Sequence, residues 1–187
     1  MSGQTVLFHA AAGGVGLIAC QWLKAIGAIV IGTVGSHEKA ELAKANGCDH
    51  TILYKEENFV DKVKAITNGK GVPVVYDSVG KDTALQSLDC LSSLGLLVIF
   101  GNSSGNAPAI EPGLLATKGS LYVTRPTLFN YNDTREKLME SANQVFSMVR
   151  SGKVSIKIGA QYALKDAVQA HKDLEARKTS GCIILRP

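Results

Sequence analysis

Gly13, Gly14 and Gly16 are spaced to hold an anion. The run Thr5-Val6-Leu7-Phe8-His9 leads into Ala10-Ala11-Ala12-Gly13-Gly14-Val15-Gly16-Leu17 and then into residues of helical period. This is the spacing G-x-G-x-x-G with Ala11 in the first place, Gly13 in the second and Gly16 in the third. Gly13 lets the backbone approach a diphosphate, and Gly16 lets the helix pack close to the strand. The N–H groups of Gly14, Val15 and Gly16 point the positive end of the helix dipole at the anion. A purely structural tight turn would use the same residues. The setting, a strand before and a helix after within a βαβ unit, favours dinucleotide binding. The absence of a Gly-Lys-Ser/Thr ending argues against a nucleotide triphosphatase loop.

About 20 residues past the third glycine, an NAD-specific site carries Asp or Glu for the ribose 2′-hydroxyl. Here the second strand ends in Gly35-Ser36-His37-Glu38-Lys39. With no acid at the strand end, nothing repels a 2′-phosphate, and Ser36 and Lys39 can donate to it from the next helix's first turn. NADP(H) is the coenzyme this favours. Lys39 taken alone reads equally as an exposed helix lysine.

No other residue type is arranged for chemistry. His9, His37, His50 and His171 show neither metal-ligand spacing nor a paired Cys or carboxylate motif, so each is expected to be structural and no metal is expected. No side chain stands out as a general acid, base or nucleophile, and no catalytic residue is named. Cys20, Cys48, Cys90 and Cys182 lie far apart, three of them in apolar runs, as expected of reduced thiols in a cytoplasmic protein. The 20 basic and 16 acidic residues are spread along the chain. They form no basic stripe that would follow a nucleic-acid backbone. No apolar run reaches membrane-spanning length.

These residues need elements to hold them. At 187 residues and 45% hydrophobic content, the chain suffices for one buried core with a small appendage. Apolar strands are expected at residues 5–9, 29–34, 51–54, 74–77, 96–100 and 121–124. Helices are expected at 16–26, 37–46, 59–67 and 83–91, with Gly27, Gly47 and Gly69 placed to end the first three. Strands apolar throughout and separated by helices imply an α/β fold, a doubly wound parallel sheet of Rossmann type with helices on both faces. After Arg125-Pro126 the pattern changes to a long amphipathic helix over 133–149, a strand at 154–158, a helix at 165–177 and a strand at 182–185. Trp22 is expected in the core. The tail is expected to pack on something other than the central sheet.

Five segments, AAAGGVGLIACQW, IGTVGSHEKA, VVYDSVG, IFGNSSG and GSLYVTRPTL, together with the closing AVQAHKDLEARKTSGCIILRP, resemble the quinone oxidoreductases of the medium-chain dehydrogenase/reductase superfamily, the zeta-crystallin relatives. The resemblance runs through the whole chain. It implies a Rossmann coenzyme domain that reduces quinones with NADPH without zinc. It implies that Gly14, Val15 and Gly16 meet the pyrophosphate and that Lys39 and Tyr54 line the adenosine phosphate pocket. Ser78, Phe100, Gly101 and Asn102 match loops at the strand ends, and Arg125, Pro126 and Thr127 match the segment beside the nicotinamide. Packing is the competing role for Tyr54 and Phe100, and helix capping for Asp77-Ser78.

The sequence opens at the first Rossmann strand, so the resemblance implies a coenzyme half without the family's front lobe. Residues 1–151 are expected to form the NADP(H)-binding domain. Residues 152–187 match the stretch that returns to the other lobe, and are expected to be loosely held. The resemblance also implies a homodimer paired through the strand over 119–124, which opens at Gly119 and closes at Thr124. Other readings are an NADPH-dependent enone or alkenal reductase half and a non-catalytic NADPH-binding dimerisation module.

Overall fold

A computed structural model describes residues 2–187. Six parallel strands form one sheet: β1 (Thr5–Phe8), β2 (Ile29–Val34), β3 (His50–Leu53), β4 (Val72–Asp77), β5 (Leu91–Ile99) and β6 (Tyr122–Thr124). Their order is β3-β2-β1-β4-β5-β6. This is the Rossmann order, whose reversal of direction between β1 and β4 opens a crevice at the strands' C-terminal ends. The expected α/β fold is therefore present.

Alternation along each strand explains why the sheet is covered on both sides. Leu7, Ile31, Val75 and Leu97 are fully buried in one core layer with Phe59 and Val63 of α3 (Phe59–Ile66) and Ala84 of α4 (Ala84–Ser87). Val6, Phe8, Val30 and Val34 face the other way. They pack on Cys20 and Leu23 of α1 (Gly14–Ala25) and on Ala40 and Ala43 of α2 (His37–Ala45). Strands buried on two faces have no polar face to alternate, which is why they read as apolar runs.

Side-chain caps start the helices where expected. Ser36 Oγ accepts from Lys39 N at 3.3 Å, and Asn58 Oδ1 accepts from Val60 N at 2.9 Å. Gly27 (φ 85°) and Gly47 (φ 104°) end α1 and α2 in the left-handed region. After α3, Asn68 (φ 51°) makes that turn first, with Gly69 (φ 77°) following it.

Three expectations on the later elements need correction. The helix expected over 83–91 is one α turn followed by a 3-10 turn, Leu88–Cys90, and β5 begins at Leu91 instead of 96. Leu88 and Leu91 both turn into the core, and Leu94 bends the strand with φ 60°. Two short helices, α5 (Pro112–Thr117) and α6 (Leu128–Tyr131), were not anticipated. After α7 (Arg135–Arg150), the strand expected at 154–158 is irregular, and β7 runs instead over Ile158–Ala163. Gln21 of α1 takes both backbone groups of Ser155: Oε1 accepts from its N–H at 2.8 Å and Nε2 donates to its carbonyl at 3.0 Å. Those groups are spent before any ladder can use them.

The tail ends in α8 (Ala167–Glu175) and β8 (Cys182–Arg186), which pairs in parallel with β7 in a separate two-stranded sheet. It is tied to the main sheet's crest. Gly181 bridges Gly13 and donates to Ala12 O at 3.2 Å, and Val154 is buried. The tail thus meets α1 at Ser155 and the glycine turn at Gly181.

Candidate dinucleotide site

Local sterics shape the turn after β1. A Cβ on Gly16 would lie 2.4 Å from the Ala10 carbonyl oxygen and 2.6 Å from that of Ala11, so only glycine lets α1 begin this close to the strand. Ala10 itself is left-handed at φ 55°. Gly13 caps α1 with its backbone, and its own N–H donates to Ala10 O at 3.0 Å. Val15 and Gly16 sit in the first helical turn, where N–H groups have no carbonyl four residues back. Val15 is 63% exposed, so this turn opens outward. Gly14 lies against the tail: a Cβ there would meet Gly181 O at 3.3 Å and Cys182 Sγ at 3.4 Å.

The turn after β2 carries the positive charge. Gly35 lies under the Tyr54 ring, so that a Cβ at Gly35 would come within 2.8 Å of the Tyr54 hydroxyl oxygen. That oxygen lies 3.4 Å from Arg177 Nη1, and Lys39 Nζ donates to the Arg177 carbonyl at 2.7 Å. Partial burial draws the Lys39 pKa down; Lys55 and Arg177 add to this by like-charge repulsion, and Glu38 opposes it. Crowded cations beside an acid-free strand end are a ready partner for a doubly charged phosphate. Ser36 caps α2 beside Lys39, its Oγ accepting from Lys39 N. Arg177 was not foreseen: it stands 138 residues from Lys39 in an exposed turn with φ 57°, and no local pattern marks it.

The remaining positions line the same edge. Phe100 N donates to Asp77 O at 2.8 Å and Ser103 N to Ser78 O at 3.1 Å, which joins the turns after β4 and β5. A Cβ on Gly101 would be 2.6 Å from Ser78 O, so glycine permits that approach. Asn102 is exposed and donates through Nδ2 to Asn106 Oδ1 at 3.1 Å. Phe100 packs on Phe8, ring centroids 5.7 Å apart, and with Val15, Ala19, Tyr76 and Val98 lines an apolar cavity of about 280 Å³. Arg125, Pro126 and Thr127 line a second cavity, of about 370 Å³, with Thr124, Asn130 and Tyr131. Arg125 Nη1 donates to Pro126 O at 3.0 Å.

Every sequence-predicted position therefore follows the C-terminal end of one of the six parallel strands. The fold gathers them on one edge, and the tail adds Arg177. Among the described residues, no three His, Cys, Asp or Glu side chains converge as a metal-holding group, and no helix is long and apolar enough to cross a membrane. Cys20, Cys48 and Cys90 are buried. Burial, with a smaller push from Asp89, raises the Cys90 thiol to about 12, which keeps it protonated and unreactive.

Comparison with known proteins is consistent with this geometry. The family described as zinc-binding dehydrogenase matches residues 14–144. The quinone oxidoreductase of Pseudomonas aeruginosa is 54% identical over 185 residues, which are 99% of this chain and 57% of that protein. A 2-haloacrylate reductase from Burkholderia is 45% identical over 186 residues, 99% of this chain and 56% of that protein. Among solved structures, the Escherichia coli quinone oxidoreductase complexed with NADPH superposes with a TM-score of 0.96 at 53% identity, covering 100% of this chain and 58% of that one. The chain spans a little over half the length of these relatives.

Proposed function

Because this chain belongs to the zinc-binding dehydrogenase family, in its quinone oxidoreductase branch, we propose that it is the NADPH-binding half of an enzyme that reduces quinones. The observation that carries the reading is the basic pocket of Lys39 and Arg177 over an acid-free strand end, on the same sheet edge as the glycine turn. The residues fit the coenzyme. The first-turn amides of α1 hold its diphosphate, Ser36, Lys39, Tyr54 and Arg177 its adenosine phosphate end, and Arg125 to Thr127 the nicotinamide side. Ser78 and Phe100 to Asn102 form the floor between.

When bound, NADPH supplies the reducing equivalents, and the protein contributes placement and electrostatics. The helix dipole and the two cations offset the phosphate charge, and the Phe8, Tyr76 and Phe100 rings keep water from one wall of the crevice. The acceptor needs a second wall to be held within reach of the nicotinamide. In this reading residues 1–151 form the coenzyme domain, and residues 152–187 are the segment that returns to the other lobe. The protein works in the cytoplasm. The edge strand β6, with Tyr122 60% exposed, pairs two copies as a homodimer.

Calorimetric titration tests the coenzyme assignment. NADPH is expected to bind at least tenfold more tightly than NADH, and equal affinity would overturn it. NADPH oxidation with a panel of quinones and enones then separates a quinone acceptor from an activated C=C bond, the chemistry that the name 2-haloacrylate reductase implies for that relative. Binding without oxidation of NADPH would instead favour a non-catalytic module. Small-angle scattering at rising concentration reads the oligomeric state, and a monomer throughout would remove the dimer.

A further inference from the structure

His9 is a buried titratable group that coenzyme binding leaves without a task. It follows β1, directly before the glycine turn, and is 1% exposed. Its Nδ1 lies 3.0 Å from Thr33 Oγ1 in β2, and its Nε2 lies 3.0 Å from Ser87 Oγ in α4. Thr33 Oγ1 also accepts from Ala10 N at 3.3 Å, and Ser87 Oγ donates to Asp77 Oδ2 at 3.4 Å. The Phe59 ring meets the imidazole edge-on, with centroids 5.0 Å apart.

A carboxylate only accepts, which fixes the Asp77 end of this chain of hydrogen bonds, and at the other end His9 Nδ1 is the acceptor that the Thr33 hydroxyl meets. The protons therefore run one way: Ala10 N–H to Thr33, the Thr33 hydroxyl to His9 Nδ1, His9 Nε2–H to Ser87, and the Ser87 hydroxyl to Asp77. The imidazole that satisfies every member is neutral, with its proton on Nε2. Burial acts in the same sense, lowering the ring's pKa to about 4 against the opposing pull of Asp77. Asp77 on β4 is the charged group facing the ring; β2, α3 and α4 present Thr33, Phe59 and Ser87.

Each link reaches a different binding turn. Ala10 opens the glycine turn, and Thr33 stands two residues before Gly35. Asp77 Oδ1 accepts from Val79 N at 2.7 Å and Gly80 N at 3.0 Å, which shapes the turn after β4, while Oδ2 accepts from the Thr83 hydroxyl at 2.7 Å. We propose that His9 is a positioning residue that sets the spacing among the glycine turn, the 35–39 phosphate pocket and the turn after β4, so that a single dinucleotide spans all three. This rests on the coenzyme reading above. A ligand confined to one turn is indifferent to that spacing; a ligand bridging them is not.

The test compares NADPH with 2′-AMP, which reaches only the phosphate pocket, on the whole chain by calorimetry. Thr33→Val keeps the shape and removes the hydroxyl. It is expected to weaken NADPH by about 10- to 30-fold, with 2′-AMP changed less than about twofold, and Thr33→Ser is expected to restore the wild-type value. Should Thr33→Val fail to fold, Ser87→Ala cuts the other arm and is expected to give the same split. Equal losses for both ligands, or no loss in a folded variant, would overturn the proposal while leaving wild-type NADPH binding intact. Failure of the wild type itself to bind NADPH would remove the coenzyme reading and this inference with it. Nitrogen-15 spectra of the His9 ring from pH 5.5 to 8 are expected to show a neutral, Nε2-protonated imidazole; a proton on Nδ1 would contradict the stated order.

Discussion

Lys39 and Arg177 approach one site from opposite ends of the chain, and the hydrogen bond that holds each is to a neutral group, with Glu38 offsetting part of the Lys39 charge. Lys39 rests on a carbonyl and Arg177 on a phenol, neither of which is an anion. A phosphate entering there meets cations whose like-charge repulsion it relieves. Lys39→Ala is therefore expected to weaken NADPH by roughly 1.5 to 3 kcal/mol, about 10- to 150-fold, and to spare NADH. Paired titrations check it, and equal losses would refute the assignment. His9 carries a different consequence. In the folded chain it stays neutral down to about pH 4, whereas unfolded it takes a proton near its ordinary 6.5. Between those values the unfolded state binds more protons, so stability falls as pH falls through this window, by an order of about 3 kcal/mol in all, and His9 gives no slope above it. Urea midpoints at pH 7 and pH 4.5 should lie further apart for the wild type than for His9→Gln. The same separation in both would show that His9 is not the group responsible.

Among the elements, the β1–turn–α1 unit has the least room for change. A Cβ on Gly16 would overlap two backbone carbonyls, which have no flexible end to swing away. Gly16→Ala is expected to cost about 1 to 3 kcal/mol by prying the helix from the strand, and to weaken NADPH as the N–H groups shift. Gly113 in α5 has nothing within 4 Å of its Cβ position, so Gly113→Ala should stabilise by up to about 1 kcal/mol. Thermal melts of the two variants test the contrast, and shifts of equal sign would contradict it. The same unit shows why much of the fold could be read from sequence. Leu7, Ile31 and Val75 are apolar because both sheet faces are covered, and the glycines stand where backbones touch, so local pattern and tertiary contact agree. Legibility failed where distant partners decide. Gln21 occupies Ser155 across 134 residues and displaces β7, while the inward turn of Leu88 and Leu91 ends a helix that the pattern would have prolonged. Arg177 escaped notice for the same reason, since its partners are Tyr54 and Lys39 and not its sequence neighbours.

For the molecule as a whole, the tail is the element whose position couples distant parts. Gln21 clamps its start, the Gly13–Gly181 bridge clamps its last strand, and Arg177 between them reaches the phosphate pocket. A ligand that bonds Arg177 also holds the tail down, because whatever binds only the docked form stabilises it by mass action. NADPH and NADH share every group except the 2′-phosphate, so their difference isolates this coupling. One charge-assisted hydrogen bond contributes about 1.5 kcal/mol, which corresponds to roughly tenfold slower opening-limited exchange of the docked segment. Amide hydrogen exchange in β8 is therefore expected to slow about that much with saturating NADPH and much less with saturating NADH. Gln21→Ala should speed exchange in the ligand-free chain without removing the NADPH effect, since it releases the other clamp. Equal protection by both coenzymes would mean that the tail responds to the diphosphate through Gly181 and Gly14, and that Arg177 does not link the pocket to it.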